Sequence, residues 1–173
     1  MWFGSLVAVK WWNDVGLNES IATWVAFHAM SKIPSLAEFH DTCWITFLEY
    51  KFWGVAKDSL NSTHPICCAG VSADRADSLF DGISYGKGPA FIKQLFAMLG
   101  ENTMRQGIKI YFQNFKWSYA TVKNFIDCMN HAYIQSGDKS LGQDFTLTEW
   151  CSTWFSSSGI NTLTPIVETN EYG

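Results

Sequence analysis

The 173 residues carry 12 basic and 16 acidic side chains, a net charge of −4 with no cluster of Lys or Arg, which excludes recognition of nucleic acid through its phosphate backbone. No stretch reaches the roughly 20 uninterrupted apolar residues of a membrane span, and Met1 to Val9 lack the basic region and small-residue cleavage site of a signal peptide. The 47% apolar content can fill the core of one domain, yet only 16% of residues are charged and nine Trp and thirteen Phe must be housed, a balance that predicts apolar surface meant to be covered by other segments.

In chain order, Leu17, Ile21, Trp24, Val25 and His28 recur at the spacing of one helix face. Asn13 or Asp14 can cap this helix, and Pro34 ends it after Ile33. The flank that carries Glu19 continues through Thr23, Ala26 and Met30, bordered by Ala22 and Ala29; mostly small side chains there let another helix approach closely. A second helix is predicted from Ser35 to Lys57, with Leu36, Phe39, Cys43, Phe47 and Tyr50 as its stripe. Asn, Ser, Pro and Gly break the pattern from Asp58 to Gly82. A third helix begins between Ser84 and Pro89, with the proline in its first turn, and stops at Gly100. Glu101 to Phe115 gives a fourth helix. Ser118 to Ile134 gives a fifth, striped by Val122, Phe125, Ile126 and Met129. The sixth starts at Thr146 or Thr148 and ends at Ser158-Gly159, with the glycine as C-cap. Thr162-Leu163-Thr164-Pro165-Ile166-Val167-Glu168 then alternates like the first strand of another module. The fold class is mainly α, with the beginning of a β module at the C-terminus.

Five cysteines, Cys43, Cys67, Cys68, Cys128 and Cys151, form no C-x-x-C pair, so neither a zinc knuckle nor a thioredoxin-type motif is present. Cys43, Cys128 and Cys151 fall in apolar helical patterns as buried thiols, which favours a reducing compartment and a cytoplasmic location. Of two glycosylation sequons, Asn18-Glu19-Ser20 is a chance match, and Asn61-Ser62-Thr63 could be used only in a secreted protein. His28, His40 and His131 show no H-x-x-x-H spacing, so they do not build an independent metal site.

Three strings at fixed offsets carry a resemblance: Trp2-Phe3-Gly4, Lys10-Trp11-Trp12-Asn13-Asp14 and Leu17-Asn18-Glu19. Together they resemble the strip that follows the H-E-x-x-H helix in the aminopeptidase N family of zinc metallopeptidases. There the third zinc ligand is a glutamate, and the family's spacing counted back from Glu19 reaches the position just before Met1. The resemblance implies that Glu19 is a metal ligand and that the chain begins just after the metal-binding helix. A carboxylate added to two imidazoles gives the open, three-ligand Zn2+ site of a hydrolase. Phe80-Asp81-Gly82-Ile83-Ser84-Tyr85-Gly86-Lys87-Gly88 is similar to the family's I-S-Y-x-K-G string, which implies that Tyr85 is catalytic and donates to the oxyanion of the tetrahedral intermediate. Lys87 and Gly88 are read as shaping the turn. Thr63-His64-Pro65-Ile66 also resembles a recurrent family string, with His64 structural in a loop restricted by Pro65. Asp14 either caps a helix or orients groups around the metal.

Glu149 to Phe155, followed by Gly159-Ile160-Asn161-Thr162-Leu163, resembles the helix that closes the family's catalytic domain before a β-sandwich. The implied organisation is a partial, helical part of a thermolysin-like peptidase catalytic domain over 1–160, then the start of a β-sandwich module over 161–173. Departures are visible: the H-E-x-x-H segment and the G-A-M-E-N-type loop that holds the substrate amine are absent. Gly16 stands for a frequent tryptophan and Ser20 for a frequent glycine, while Gly86 and Pro89 alter the surroundings of Tyr85. The implied function is part of a zinc-dependent aminopeptidase acting on peptides with a free N-terminus, needing one Zn2+ per complete catalytic domain and the remainder of that domain as partner. With one carboxylate of the ligand set, this chain alone is expected to be inactive. The alternative is a non-catalytic helical scaffold or protein-interaction module, for which retaining both Glu19 and Tyr85 would have no chemical use.

Overall fold

In the computed structural model, which describes residues 1–142, 144–162 and 164–167, the repeat beginning at Leu17 becomes helix α1 (Val15–Met30). Leu17, Ile21 and Trp24 are buried along it, while Val25 and His28 are half-buried. Burying one face is what holds such a helix in place. Asn13 and Asp14 do not cap α1, because both carboxamide and carboxylate are used elsewhere. Asn13 Oδ1 accepts from the Val71 N–H at 3.1 Å, and Asp14 Oδ2 accepts from the Val122 N–H at 3.1 Å.

The second expected helix starts later than Ser35. Pro34–Phe39 forms a tight 3-10 segment in which Leu36 leaves helical geometry, and α2 (His40–Asp58) follows. Ile33 is held extended ahead of the proline, which sets the chain on a new axis before the α-helix can begin. Cys43 and Phe47 are buried as the stripe predicts, but Phe39 and Tyr50 lie largely at the surface. After the irregular stretch, one turn of π-helix (Ile83–Lys87) runs directly into α3 (Gly88–Phe115). The predicted stop at Gly100 is a break inside α3, with φ 73° and ψ 162°, a conformation open to glycine and strained for other residues. The two arms on either side are the predicted third and fourth helices.

The first residues of the predicted fifth helix are strand β2 (Ser118–Ala120), paired in parallel with β1 (Val7–Val9), Val7 opposite Ser118 and Val9 opposite Ala120. Strands of three residues carry no alternation for a sequence pattern to reveal. Helix α4 (Val122–Ser136) then starts from a capping box: the Thr121 hydroxyl accepts from the Asn124 N–H, and the Asn124 side chain accepts from the Thr121 N–H. Helix α5 (Leu147–Ser156) closes the described helices. Gly159 is not its C-cap. Ser157 is already extended, and the Gly159 N–H instead donates to Asp58 Oδ1 at 2.8 Å. Residues 162 and 164–167 take no regular strand, and the rest of the predicted strand lies outside the described residues.

The main core joins α1, α3, α4 and α5 through Leu17, Ile21, Phe91, Leu95, Met129 and Phe155, all essentially inaccessible to solvent. A smaller cluster of Phe27, Cys43 and Phe47 fastens α2 to α1. Cys43, Cys128 and Cys151 are buried thiols, and all five cysteines are unbridged. Among the described residues no helix is long and apolar enough to cross a membrane.

Candidate functional site

Glu19 sits in the second turn of α1, half-buried, on the flank away from Ile21. Tyr85 lies in the π turn that opens α3. The Tyr85 hydroxyl donates to Glu19 Oε2 at 2.9 Å across 66 residues of sequence. The two side chains that the sequence singles out therefore meet directly.

Close backbone packing holds the pair together. Gly54 of α2 lies against Gly86 of the π turn, and a Cβ on Gly86 would collide with the Tyr50 carbonyl and the Gly54 backbone. On the other side the Ser20 hydroxyl lies between the carbonyls of Gly16 and Ser84, tying α1 to the π turn one residue from Glu19. Gly88 leaves room for that same hydroxyl. The Trp53 ring lies parallel to Tyr85, with centroids 6.5 Å apart, and Phe80 lies 6.5 Å away. These contacts fix the direction of the phenol as well as its position.

Burial raises the Tyr85 phenol to about 12, and the hydrogen bond and negative charge of Glu19 add to the effect. The hydroxyl thus keeps its proton through the neutral range and can act only as a neutral donor there. Beside the pair runs an open groove of about 450 Å³ lined by Ala22, Thr23, Ala26, Met30, Tyr50 and Tyr85. This is the small-residue flank of α1, and Ala22, Ala26 and Ala29 are exposed along it. Among the described residues no three His, Cys, Asp or Glu side chains converge to hold a metal ion. At this site the chain offers one carboxylate.

The supporting residues were less visible in the sequence. The Asp81 carboxylate accepts from the Ile83 N–H at 2.8 Å and lies 3.1 Å from His64 Nε2, and the Asp81 carbonyl accepts from the Tyr85 N–H at 3.0 Å. It anchors the start of the turn that carries Tyr85. The Asp81-Gly82 pair is the one sequence signal for such a turn. His64 sits in its loop as read, with Nδ1 2.7 Å from the Pro65 carbonyl. Lys87 is spent on structure: its Nζ is 2.9 Å from Asp58 Oδ2 and donates to the carbonyls of Ser157 and Gly159. The other histidines stay apart from the pair. His28 stacks on Trp24, His40 Nε2 is 3.0 Å from the Ile33 carbonyl, and His131 is exposed.

Residues 1–163 match the Peptidase family M1 domain. The chain is 34% identical over its whole length to "Aminopeptidase N" of Streptomyces lividans, of which it covers 19%. It is 41% identical over 72% of its length to "Probable aminopeptidase 2" of Sulfurisphaera tokodaii, covering 16% of that protein. With "Aminopeptidase M1-A" of Oryza sativa subsp. japonica it shares 37% identity over 71% of its length and 14% of the relative. The chain thus spans at most about a fifth of the length of these relatives.

Proposed function

The chain belongs to peptidase family M1, and from that premise we propose that it supplies one wall of a zinc aminopeptidase centre, with Glu19 as one of three metal ligands and Tyr85 as the oxyanion donor. The observation that carries this reading is the 2.9 Å contact between the two side chains. A carboxylate and a phenol so far apart in sequence meet beside a groove to which α1 contributes the small side chains of Ala22, Thr23 and Ala26. The two remaining ligands would be imidazoles from an H-E-x-x-H helix outside this sequence, seated along Ala22, Ala26 and Ala29.

Bound zinc would polarise the scissile carbonyl and lower the pKa of its water. The work of this chain's own residues is positional and electrostatic. Glu19 contributes a hard oxygen ligand from a helix fixed by the core. Tyr85 presents a proton-bearing hydroxyl to negative charge developing on the substrate oxygen. Its raised pKa suits that task, since a donor that ionised near neutral pH would repel the charge it must stabilise. The substrates would be peptides with a free N-terminus, their amine held by a loop that this sequence does not contain.

The test joins this chain to an H-E-x-x-H-bearing segment from a relative and follows bound zinc and hydrolysis of an aminoacyl-anilide. The joined protein is expected to hold one zinc and to release the aniline, whereas the chain by itself should do neither. Tyr85→Phe should keep zinc while kcat falls about 100- to 1000-fold. Glu19→Gln should lose zinc. An unchanged kcat in Tyr85→Phe, or undiminished zinc in Glu19→Gln, would overturn the assignment of that residue.

A further inference from the structure

Outside the Glu19–Tyr85 pair lies one further cluster of reactive groups, which shares the Asp81 carboxylate with the turn that carries Tyr85. It is built by the loop after α2 and the turn before α3. Cys68 Sγ lies 3.3 Å from His64 Nδ1, and the opposite ring nitrogen, Nε2, lies 3.1 Å from Asp81 Oδ2. Lys57 Nζ, from α2, is 3.3 Å from the same carboxylate oxygen. We propose that Cys68 is an activated thiol that takes up small-molecule disulfides, forming a mixed disulfide at a cavity of its own.

The geometry gives the sulfur both an activating partner and a route to solvent. A thiol beside an imidazole whose far nitrogen is held by a carboxylate has the arrangement that activates nucleophilic sulfur. The Pro65 carbonyl lies 3.1 Å from Sγ and 2.7 Å from Nδ1, so it can take the thiol proton's hydrogen bond or that of the ring. His64 is raised to about 9, first through its contact with Cys68, with burial opposing and the Pro65 carbonyl and Asp81 adding to the rise. That direction favours the protonated ring, a hydrogen-bond donor and cation 3.3 Å from the sulfur. Cys68 is half-buried and opens on a cavity of about 430 Å³ bounded by Asn13, Val122, Ser152 and Phe155.

The other four thiols lack this combination. Cys43, Cys128 and Cys151 are buried, and burial raises the Cys128 and Cys151 thiols. Burial pushes Cys67 well above the ordinary thiol range, and Asp14 and Cys68 push the same way. In the reaction, the Cys68 thiolate attacks one sulfur of the incoming disulfide. The new S–S bond forms as the old one breaks, and the displaced half leaves as a thiolate that picks up a proton. Cys68 is oxidised and the departing half is reduced, so no further oxidant is needed. Cys67, kept protonated, is a poor attacking group for the mixed disulfide next to it, so the adduct persists.

The charged and titratable groups around the sulfur are His64 and Cys67 from its own loop, Lys57 from α2, Asp81 from the turn before α3, Asp14 ahead of α1 and Lys123 from α4. The experiment treats the folded protein with dithiodipyridine, follows thiopyridone release across the pH range, and maps the modified cysteine by peptide mass spectrometry. One fast equivalent is expected at neutral pH, located at Cys68, well ahead of the other four thiols. Cys68→Ser should abolish that equivalent, and His64→Asn or Asp81→Asn should slow it about tenfold or more at neutral pH. A fast equivalent located elsewhere, no thiol faster than the rest, or a rate unchanged in folded His64→Asn would overturn the proposal. Should that variant fail to fold, the relative thiol rates and the mapping of the unsubstituted protein decide the matter.

Discussion

Asp81 and Asp58 show how single carboxylates organise the surroundings of the candidate site. Asp81 holds both the His64 ring and the Lys57 ammonium, and His64 is raised to about 9 from an ordinary value near 6.5. A group whose pKa is higher folded than unfolded stabilises the fold below the unfolded value and loses that effect as pH climbs through the folded one. Urea midpoints should therefore fall as pH rises from about 6.5 to about 9, and His64→Gln should flatten that fall. Asp58 is 4% exposed and paired with Lys87, itself 9% exposed. Replacing Lys87 by Met would strand a nearly buried carboxylate, at a cost of about 3–5 kcal/mol, measurable by urea unfolding. The cost should lie near the lower end because Thr63 and the Gly159 N–H still donate to Asp58. Glu19 and Tyr85 could be picked out from their strings, because each string is local. Asp81, His64 and Cys68 could not be assembled the same way, since only the folded loop brings an imidazole between a thiol and a carboxylate.

At the scale of elements, the helices were legible wherever one face is buried against the core. α1 and α4 follow their apolar repeats, and the Gly100 break was readable because only a glycine tolerates that backbone. The misreadings arise where tertiary partners outbid local preference. Asp14 stands ahead of α1 yet accepts from the first N–H of α4, and Gly159 serves the Asp58–Lys87 pair instead of capping α5. Two substitutions test these elements by urea unfolding. Thr121→Ala removes the hydroxyl of the α4 capping box and should cost about 0.5–2 kcal/mol. Gly86→Ala forces a methyl into the backbone of α2 and should cost about 1–3 kcal/mol. Because Gly86 adjoins Tyr85, the second variant should also lower the activity of a reconstituted enzyme without altering its zinc content.

Taken whole, the molecule leaves a large apolar area in contact with water. Ile45, Leu48 and Phe52 recur along the outer side of α2, at 61%, 47% and 67% exposure, and Trp2, Trp117 and Ile134 are more than half exposed. Patches of this kind associate. Sedimentation should show concentration-dependent self-association of this chain, and Ile45→Lys combined with Phe52→Glu should weaken it by replacing apolar contact with hydrated charge. The parallel pair β1–β2 has a different consequence. Three residues on each side close a loop that contains α1, α2 and α3, so few hydrogen bonds join the ends of that loop. With so few hydrogen bonds the seam is expected to open before the helices, even though Val7 and Ala120 are buried in the core. Amide deuteration should therefore reach Val7–Val9 well ahead of the buried turns of α1, and a protease given limited time would nick the leading segment while Glu19 still faced Tyr85.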